Sequence, residues 1–328
     1  MSDPRVSVIM PIFNGADDLE RALDSILGQT FQDFEVIAIN DGSKDNSYAL
    51  LNAVTDPRVK VVHQDNMGLA GTLNRGLSMA RGALIARQDQ DDLSHPERFE
   101  RQVSYFDAHP DCILLGTAAE IWIGNTPTER THDHPTYHEA LAFELLFNNP
   151  FVHSSVMMCR DAVLSIGGYS TDRERQPPED YELWSRMART GRVANLKDRL
   201  LVYREVPQSM SRNGPSPFLD RLVTISAENI AMASGRNIED DNAINLAALT
   251  HSALDRMKKK ANLTKMQKIL EDAVANIAPD DPDVATRAAE RVRILRYQWT
   301  MYRMRSQWAM PLFRRFIRCV RRLPYLSR

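Results

Sequence analysis

Cysteine is scarce in this chain, with three in 328 residues, at Cys112, Cys159 and Cys319. The number is odd and the spacing is wide, so neither a disulfide framework nor a cysteine-based zinc site is indicated. The sequence also lacks the run of ~18 apolar residues that a membrane-spanning helix needs, and a secretory signal is not visible at its start. These absences predict a protein of a reducing, cytoplasmic compartment.

An excess of either charge is also missing, since the formal net charge is -2. That balance argues against a general nucleic-acid-binding protein. The C-terminal end is strongly basic, however. Eight arginines and no acidic residue lie between Tyr302 and Arg328, interleaved with aromatic and aliphatic side chains. Residues 309–328 therefore predict a basic amphipathic helix in peripheral contact with an anionic membrane. The open alternative is a helix packed on the protein's own helical region or on a partner subunit, including a homo-oligomer formed through the C-terminal helices.

A glycine-rich phosphate loop is absent too. A dinucleotide enzyme would carry G-x-G-x-x-G after its first strand, but the chain has PIFNG there. Without such a loop, a phosphate site in this chain would have to depend on a metal ion.

Strands and amphipathic helices alternate from Val6 to about Gly116, which predicts an α/β fold with a mostly parallel, twisted sheet flanked by helices. The predicted strands are Val6–Ile12, Phe34–Ile39, Val59–His63 and Leu84–Ala86. Helices follow at Leu19–Leu27 and around Leu73 and Leu77. Ser94, Pro96 and Glu97 resemble a capping box that starts a helix running through Phe106.

The second half of the sequence is less regular. Residues 124–138 are expected to form a loop, followed by a helix at 139–147, a strand at 152–158 and a helix that begins near Asp180. A linker at 212–217 leads to helices at 218–233, 243–260, 266–277 and 282 to about 308. This organisation predicts three parts: a catalytic domain at 1–212, a helical region at 213–300 and a basic amphipathic helix at 301–328.

The acidic cluster that follows the fourth strand, RQDQDD at residues 87–92, is the clearest candidate for chemistry. On an extended backbone Asp89 and Asp91 share a face and Gln90 points away. Paired carboxylates favour Mg²⁺ or Mn²⁺ shared with substrate phosphates. A solvated acidic turn is the alternative for this cluster taken alone. In an open α/β sheet, however, ligands bind outside the carboxyl ends of the strands, where residues 11–14, 40–43 and 66–68 also converge.

Helical geometry singles out Asp180 within EDYELWSRM. It shares a face with Leu183, Trp184 and Met187, whereas Glu179 aligns with Glu182 and Arg186. Asp180 is therefore predicted to point inward, where burial would raise its pKa and suit it to general-base catalysis. The alternative is a first-turn acid that the helix dipole favours.

Several segments together resemble glycosyltransferase family 2, whose fold is called GT-A. They are VSVIMPIFNG, AINDGSKDNS, NMGLAGTLNRGLSMARGALIARQDQDDLSHPERFERQ, NPFVHSSVMMCR, GGY, PPEDYELWSRM and LVYREVPQSMS, and they cover about residues 5–212. The resemblance implies an enzyme that transfers a sugar, with inversion, from a nucleotide diphosphate that is commonly uridine diphosphate. The acceptor would be a saccharide or lipid-linked saccharide in cell-surface polysaccharide synthesis.

The same resemblance assigns roles to individual residues. Asp180 is the expected base, and Asp91 with Asp89 the expected Mn²⁺ or Mg²⁺ ligands. Asp41 is expected at the nucleotide base and Asp89 also at the ribose, while Asp92 has no assigned role. The full expected donor-binding set is Pro11, Phe13, Asn14, Asp41, Asn66, Gly68, Asp89 and Gln90. Glu179, His153, Trp184, Arg204 and Arg212 are candidates for the acceptor or the diphosphate.

One departure from the family pattern concerns the metal site. A histidine is frequent in the family at the position of Val206, so the ion would have one fewer side-chain ligand here, and Arg204, Gln208 or Arg212 could replace it at the diphosphate. His132, His134 and His138 have loose metal-like spacing but are expected to be solvated loop residues. His153 is expected either to face the acceptor cleft or to be an interior imidazole. Two alternative functions stay open, a nucleotidyltransferase and a non-catalytic nucleotide-sugar-binding partner.

Overall fold

The structure is a computed structural model that describes residues 3–205 and 218–306. The chain divides into two compact units, and the boundary in the sequence lies between Arg221 and Leu222. Val206, Gln208 and Arg212 lie outside the described residues, as do the predicted linker and the predicted membrane helix at 309–328. The three-part division of the chain therefore stays a prediction.

Four parallel strands form the first half of the sheet. They are β1 (Val6–Ile12), β2 (Phe34–Asp41), β3 (Val59–Gln64) and β4 (Leu84–Arg87), in the spatial order β3-β2-β1-β4. The helices that follow the first three strands are α1 (Leu19–Leu27), α2 (Ser47–Asn52) and α3 (Gly68–Met79). All four predicted strands are confirmed. β1, β2 and β4 are buried along their whole length, as their apolar runs predict, whereas β3 is partly exposed.

The second half of the first unit makes the sheet mixed. Its elements are β5 (Leu93–Ser94), α4 (Arg98–Ala108), β6 (Cys112–Ile123), β7 (Thr126–His132), α5 (His138–Glu144), β8 (Met157–Cys159), α6 (Arg160–Ser165), α7 (Glu179–Met187) and β9 (Arg192–Glu205). From β4 the sheet continues β8-β6-β9-β5, and β7 pairs with β6. β6 and β9 are parallel, whereas β8 is antiparallel to both of its neighbours. The sheet that was expected to be mostly parallel is thus mixed: it is parallel from β3 to β4 and between β6 and β9, and antiparallel at its other pairs.

Three local predictions were wrong. The expected loop at 124–138 contains β7, a polar strand that pairs with β6 from Ala119 to Ile123. The expected strand at 152–158 begins as a 3-10 turn at His153–Ser155, and only β8 is extended. Ser94 does not cap α4, because it lies in β5 and its hydroxyl donates to Gln88.

The hydrophobic core that positions the strand ends lies between the sheet and α1. Leu19, Ala22, Leu23 and Ile26 form the predicted stripe of α1 and are buried against the alternate residues of β1. Burial of a Leu or Ile side chain is worth about 1.5–3 kcal/mol. This packing fixes the loop between β1 and α1, which borders the site.

The second unit is helical. α8 (Phe218–Ala233), α9 (Asp241–Thr250), α10 (Leu263–Ile277) and α11 (Pro282–Ser306) confirm the four predicted helices, although the second was predicted to run to residue 260. It stops at Thr250 because Ser252 adopts a positive φ of 56°. Within residues 3–205 and 218–306, no helix combines the length and apolar character needed to cross a bilayer.

Candidate active site

A cavity of about 920 Å³ opens at the carboxyl ends of β1, β2 and β4. Sites for small molecules typically have this size and position. Every described residue that the sequence predicted for the site, apart from Trp184, lines it. They are Pro11, Phe13, Asn14, Asp41, Asn66, Gly68, Asp89, Gln90, Asp91, His153, Glu179, Asp180 and Arg204.

The loop after β1 is held by side chains from two other loops. The backbone N–H groups of Asn14, Gly15 and Ala16 donate to oxygens of Ser43, Ser47 and Asp45, at 3.0, 3.1 and 2.9 Å. Gln90 braces the same loop, because its amide accepts from Phe13 N at 2.8 Å and donates to Phe13 O at 3.1 Å. A Cβ at position 15 would meet Gln90 Oε1 at 2.3 Å, so this approach requires glycine. The phenyl ring of Phe13 remains 47% exposed.

Asp41 organises the turn that begins α3. Its Oδ1 accepts from Gln64 Nε2 at 2.6 Å and from Met67 N at 2.7 Å, and its Oδ2 accepts from Gly68 N at 3.0 Å. The α3 backbone donors thereby find an acceptor that a helix start otherwise lacks. Asp41 therefore shapes its side of the cavity as well as lining it.

The acidic cluster is bent rather than extended at Gln90 and Asp91. The expectation that Gln90 points away from the two aspartates was wrong, since residues 89–92 all line the cavity. Arg87, which the sequence analysis left without a role, is buried and forms an ion pair with Oδ2 of Asp89. Burial and then the negative charge of Asp89 raise the pKa of Asp91 to about 7.

Asp92 has a structural role that the sequence did not reveal. It is 1% exposed, and it accepts hydrogen bonds from the Ser154 hydroxyl and, at 2.8 Å, from Arg204 N. Burial, followed by the charges of Asp89 and Asp91, raises its pKa well above the ordinary range. Gln88 completes the turn, because its amide donates to Asp92 O at 2.8 Å. Asp92 thus joins the cluster to β9.

Arg204 connects the cluster to two further loops. Its side chain is 3% exposed and forms an ion pair with Asp18 at 2.5 Å. It also donates to three oxygens on other loops: Asp91 O at 3.0 Å, Gly124 O at 2.8 Å and Asn125 Oδ1 at 2.8 Å. Its guanidinium is therefore engaged mainly with protein oxygens, although Arg204 was one candidate for the acceptor or the diphosphate.

Two adjacent carboxylates stand at the start of α7. Asp180 Oδ2 accepts from Asn149 Nδ2 at 2.7 Å, and Oδ1 accepts from Tyr181 N at 2.7 Å. Burial raises the pKa of Asp180. Burial and then the neighbouring Asp180 charge raise the pKa of Glu179 to about 7. The structure therefore holds an oriented carboxylate whose basicity exceeds that of an ordinary aspartate.

The face of α7 opposite Asp180 is buried as well. Glu182 is 3% exposed and pairs with Arg186 at 2.7 Å and with Arg175 at 3.3 Å. Arg186 also donates to Ile166 O and Gly168 O, both at 2.7 Å. The carboxylates of α7 therefore divide into a pair at the cavity and a Glu182 that fixes the helix in place.

His153 and Trp184 meet behind the carboxylates. The imidazole lies 2.9 Å from the hydroxyl of Tyr169, and burial lowers the pKa of His153 well below its ordinary value. Trp184 is fully buried and packs on Phe151, His153 and Tyr169 without lining the cavity. This position is that of a packing residue, and it argues against Trp184 as a candidate for contact with the acceptor or the diphosphate.

A wall of aromatic rings was also missed from sequence. His132, His134 and Tyr203 line the cavity, with His132 edge-on to Tyr203 at 5.2 Å and stacked on His134 at 5.8 Å. Burial lowers the pKa of both histidines, so they are neutral near pH 7. The expectation that they are solvated was wrong, because β7 was not recognised. His138 instead accepts from Val193 N at 3.3 Å.

The cavity offers few protein ligands for a metal ion. Within the described ranges, His, Cys, Asp and Glu side chains form no group of three or more placed to hold one. Asp89 and Asp91 nevertheless offer carboxylate oxygens on one wall of a cavity large enough for a diphosphate. Mg²⁺ and Mn²⁺ accept one or two carboxylates and complete their shells with water and phosphate oxygens. The residues fit a divalent ion that is shared with substrate.

Comparison with known proteins agrees with this geometry. The sequence of residues 7–167 matches the protein-family model described as Glycosyl transferase family 2. The amylovoran biosynthesis glycosyltransferase AmsE of Erwinia amylovora is 35% identical over 60% of this chain and 75% of its own length. The O-antigen biosynthesis glycosyltransferase WbnJ of Escherichia coli is 33% identical over 61% and 79%. The crystal structure of S. aureus TarS 1-349 in complex with UDP-GlcNAc has a TM-score of 0.62 at 17% identity and covers 92% of both chains, which shows a shared GT-A fold.

Proposed function

Because the chain belongs to glycosyltransferase family 2, we propose that it transfers a sugar from a nucleotide diphosphate donor, a UDP-sugar, to a hydroxyl of a saccharide or lipid-linked saccharide. The transfer inverts the anomeric centre and serves cell-surface polysaccharide synthesis. The relatives named for amylovoran and O-antigen biosynthesis support this acceptor class. The UDP-GlcNAc complex of a protein with the same fold supports the donor class.

The observation that carries the proposal is one cavity that holds both the strand-end aspartates and Asp180. Donor nucleotides would bind beside Asp41 and the exposed ring of Phe13, which offers a stacking surface at the end of β1. Acceptors would approach α7, where Glu179 and His153 line the same space. A nucleotidyltransferase would instead need a basic phosphate-binding loop after β1, where the sequence PIFNGADD is acidic.

Asp180 would remove the proton from the acceptor hydroxyl. Asn149 holds one of its oxygens, and the second accepts from the backbone, so the carboxylate is oriented before substrate arrives. Burial keeps its pKa above that of a solvated aspartate, which makes it a better base once deprotonated. Attack by the hydroxyl oxygen opposite the departing diphosphate gives inversion.

Asp91 and Asp89 would hold the divalent ion, which when bound supplies positive charge next to the diphosphate. Arg87 stabilises Asp89 from behind as its ion-pair partner. Arg204 fixes the backbone of Asp91, so its main contribution would be to the geometry of the cluster rather than to phosphate binding. Arg212 stays a candidate for the diphosphate outside the described residues.

Calorimetric titration of nucleotide sugars, with and without Mn²⁺, tests this function. A UDP-sugar should bind the wild-type protein in a metal-dependent way, and Asp91→Asn should weaken that binding. Asp111→Asn supplies the control, since Asp111 lies in an exposed turn before β6 and forms an ion pair with Arg192 at 3.6 Å. Binding of a UDP-sugar that neither Mn²⁺ nor Asp91→Asn changes would contradict the proposed site.

A further inference from the structure

The aromatic wall formed by His132, His134 and Tyr203 lines the cavity, and the proposed transfer gives it no role. The ring of His132 is edge-on to Tyr203, with 5.2 Å between centroids, and is stacked on His134 at 5.8 Å and an interplanar angle of 19°. All three side chains are half-buried. The rings therefore pack on one another and still keep part of their surface open.

Strand pairing fixes the aromatic wall in place. His132 pairs with Ala119 of β6, and Ala119 pairs with Leu201 of β9. Paired residues share a face of the sheet, as do residues two apart on one strand, so His132 and Tyr203 project from the same face. Val152 packs on that face against Ala119, Leu201 and Tyr203. A surface held in this way loses little conformational freedom when a ligand binds.

The contact with Val152 joins the aromatic wall to the side of the cavity that carries the proposed base. Val152 lies three residues after Asn149, which donates to Asp180 at 2.7 Å, and directly before His153, which lines the cavity. The residues proposed to bind the nucleotide follow β1 and β2, towards the other end of the sheet. In an inverting transfer the acceptor enters beside the base and opposite the departing diphosphate, so the wall borders the side from which an acceptor would enter.

The charges around the cavity favour an uncharged ligand at the aromatic wall. Among the described residues that line the cavity, Arg87 and Arg204 are the only lysine or arginine side chains, and each is paired with a carboxylate. Burial lowers the pKa of both histidines of the wall, which leaves their rings neutral near pH 7. A neutral sugar fits such a surface, because its C–H face packs on aromatic rings and its hydroxyls exchange hydrogen bonds with imidazole nitrogens.

We propose that the aromatic wall is the binding subsite for the acceptor and that it holds a neutral sugar residue stacked on its rings. This inference rests on the proposed function and narrows the acceptor class at its reacting end. A uronic acid or a sugar phosphate is a poorer occupant, because its charge would face neutral rings. A role of the wall in donor binding is the competing outcome of the test.

Saturation-transfer NMR of the full chain, with UDP and Mg²⁺ present, tests the proposal with defined probes. The neutral probes are the methyl β-glycosides of glucose, galactose and N-acetylglucosamine, and methyl β-glucuronide is the anionic probe. At least one neutral glycoside should bind, with the strongest saturation at its ring C–H protons, and the glucuronide should bind at least about fivefold more weakly. His134→Ala removes one stacking ring and should weaken the neutral glycoside about tenfold. Tyr203→Phe keeps its ring and should bind within about twofold of the wild type.

His109→Ala is the matched control. His109 is an exposed histidine that stacks on Tyr105 at 4.1 Å and does not line the cavity. The control should bind the glycoside like the wild type, and circular dichroism should show the same helix content in all variants. UDP-sugar affinity, measured by calorimetry on the same samples, should be the same in His134→Ala as in the control.

Equal glycoside affinity in His134→Ala and His109→Ala would overturn the proposal. So would the absence of binding by every neutral glycoside, or tighter binding of the glucuronide. A parallel loss of UDP-sugar affinity in His134→Ala would assign the wall to the donor and overturn it too. These results contradict the inference alone, whereas a wild-type protein that binds no UDP-sugar would contradict the proposed function and the inference with it.

Discussion

The side-chain amide of Asn149 donates a 2.7 Å hydrogen bond to Oδ2 of Asp180, and this contact fixes the direction of the carboxylate in the cavity. Asn149 reaches it from a loop whose position is set in turn by Asn195, which donates to Pro150 O and Pro135 O, both at 3.0 Å. The proposed base is thus oriented by a residue that lies 31 positions away in the chain.

Loss of that contact should slow transfer without weakening donor binding. Asn149→Ala removes the hydrogen bond, so Asp180 would sample unproductive directions, and we expect kcat to fall about 10–100-fold with little change in the KM for the donor. Steady-state kinetics measure both. Asn148→Ala is the control, since Asn148 is an exposed neighbour whose amide donates to Glu144 instead. Equal losses of kcat in the two variants would contradict a specific role of Asn149 in orienting Asp180, and would indicate that both substitutions act by disturbing the fold of this loop.

The rate should depend on pH near neutrality. Glu179 has its pKa raised to about 7 and Asp180 has its pKa raised by burial, so both gain protons at a higher pH than solvated carboxylates. A general base works only when deprotonated. We therefore expect kcat to fall as the pH is lowered through about 7. In Glu179→Gln, Asp180 is the only member of the pair that titrates. The pH below which kcat falls should therefore be lower in this variant than in the wild-type protein. A limb at the same pH in both proteins would exclude this pair as its source.

Neighbouring aspartates of the acidic cluster should respond differently to the same substitution. Asp91→Asn removes a proposed metal ligand, and we expect kcat/KM to fall at least about 100-fold. Asp92→Asn should retain activity within about threefold, because Asn keeps the size of the side chain and an oxygen that can accept from Arg204 N, and burial raises the pKa of Asp92 so that loss of its charge costs little. Initial rates at saturating Mn²⁺ measure the contrast. A larger loss from Asp92→Asn would reverse the assignment of metal ligand and structural anchor.

Arg204 should matter for both stability and donor affinity. Arg204→Ala leaves the partly buried Asp18 without its ion pair and removes the donor to Asp91 O, Gly124 O and Asn125 Oδ1, so we expect a loss of about 1–3 kcal/mol in the free energy of unfolding. Arg204→Lys keeps the charge but cannot span Asp91 O, Gly124 O and Asn125 together. It should fold with a modestly lower Tm and bind the donor more weakly. Arg199→Lys, an exposed change on the same strand where Arg199 pairs with Asp133, should do neither.

Sequence patterns predicted the parts of the fold that local signals determine. β1, β2 and β4 are buried strands rich in apolar residues, so their positions could be predicted from neighbouring residues alone. The pairing of β6 with β9 could not, because residues about 80 positions apart create it. The polar strand β7 has no apolar alternation, and without it the burial of His132 and His134 was missed.

Within the site, residue types were easier to predict than their division of labour. Asp89, Asp91 and Asp180 were identified from spacing and family motifs. The contacts that position them come mainly from distant segments: Asn149 orients Asp180, and Arg204 donates to Asp91 O. Arg87, two residues before Asp89, forms an ion pair with it. Side-chain direction at a strand end depends on such tertiary contacts, and the sequence around the aspartates does not encode them.

The most direct test of the central claim compares Asp180→Asn with the wild-type protein in acceptor-dependent release of nucleotide diphosphate, with the donor affinity measured on the same samples. The substitution keeps the shape of the side chain and removes the basic oxygen. We predict that donor affinity is unchanged and that the transfer rate falls by at least about 1000-fold, within the range that a lost general base explains. A variant that transfers sugar at the wild-type rate would contradict the assignment of Asp180 as the base.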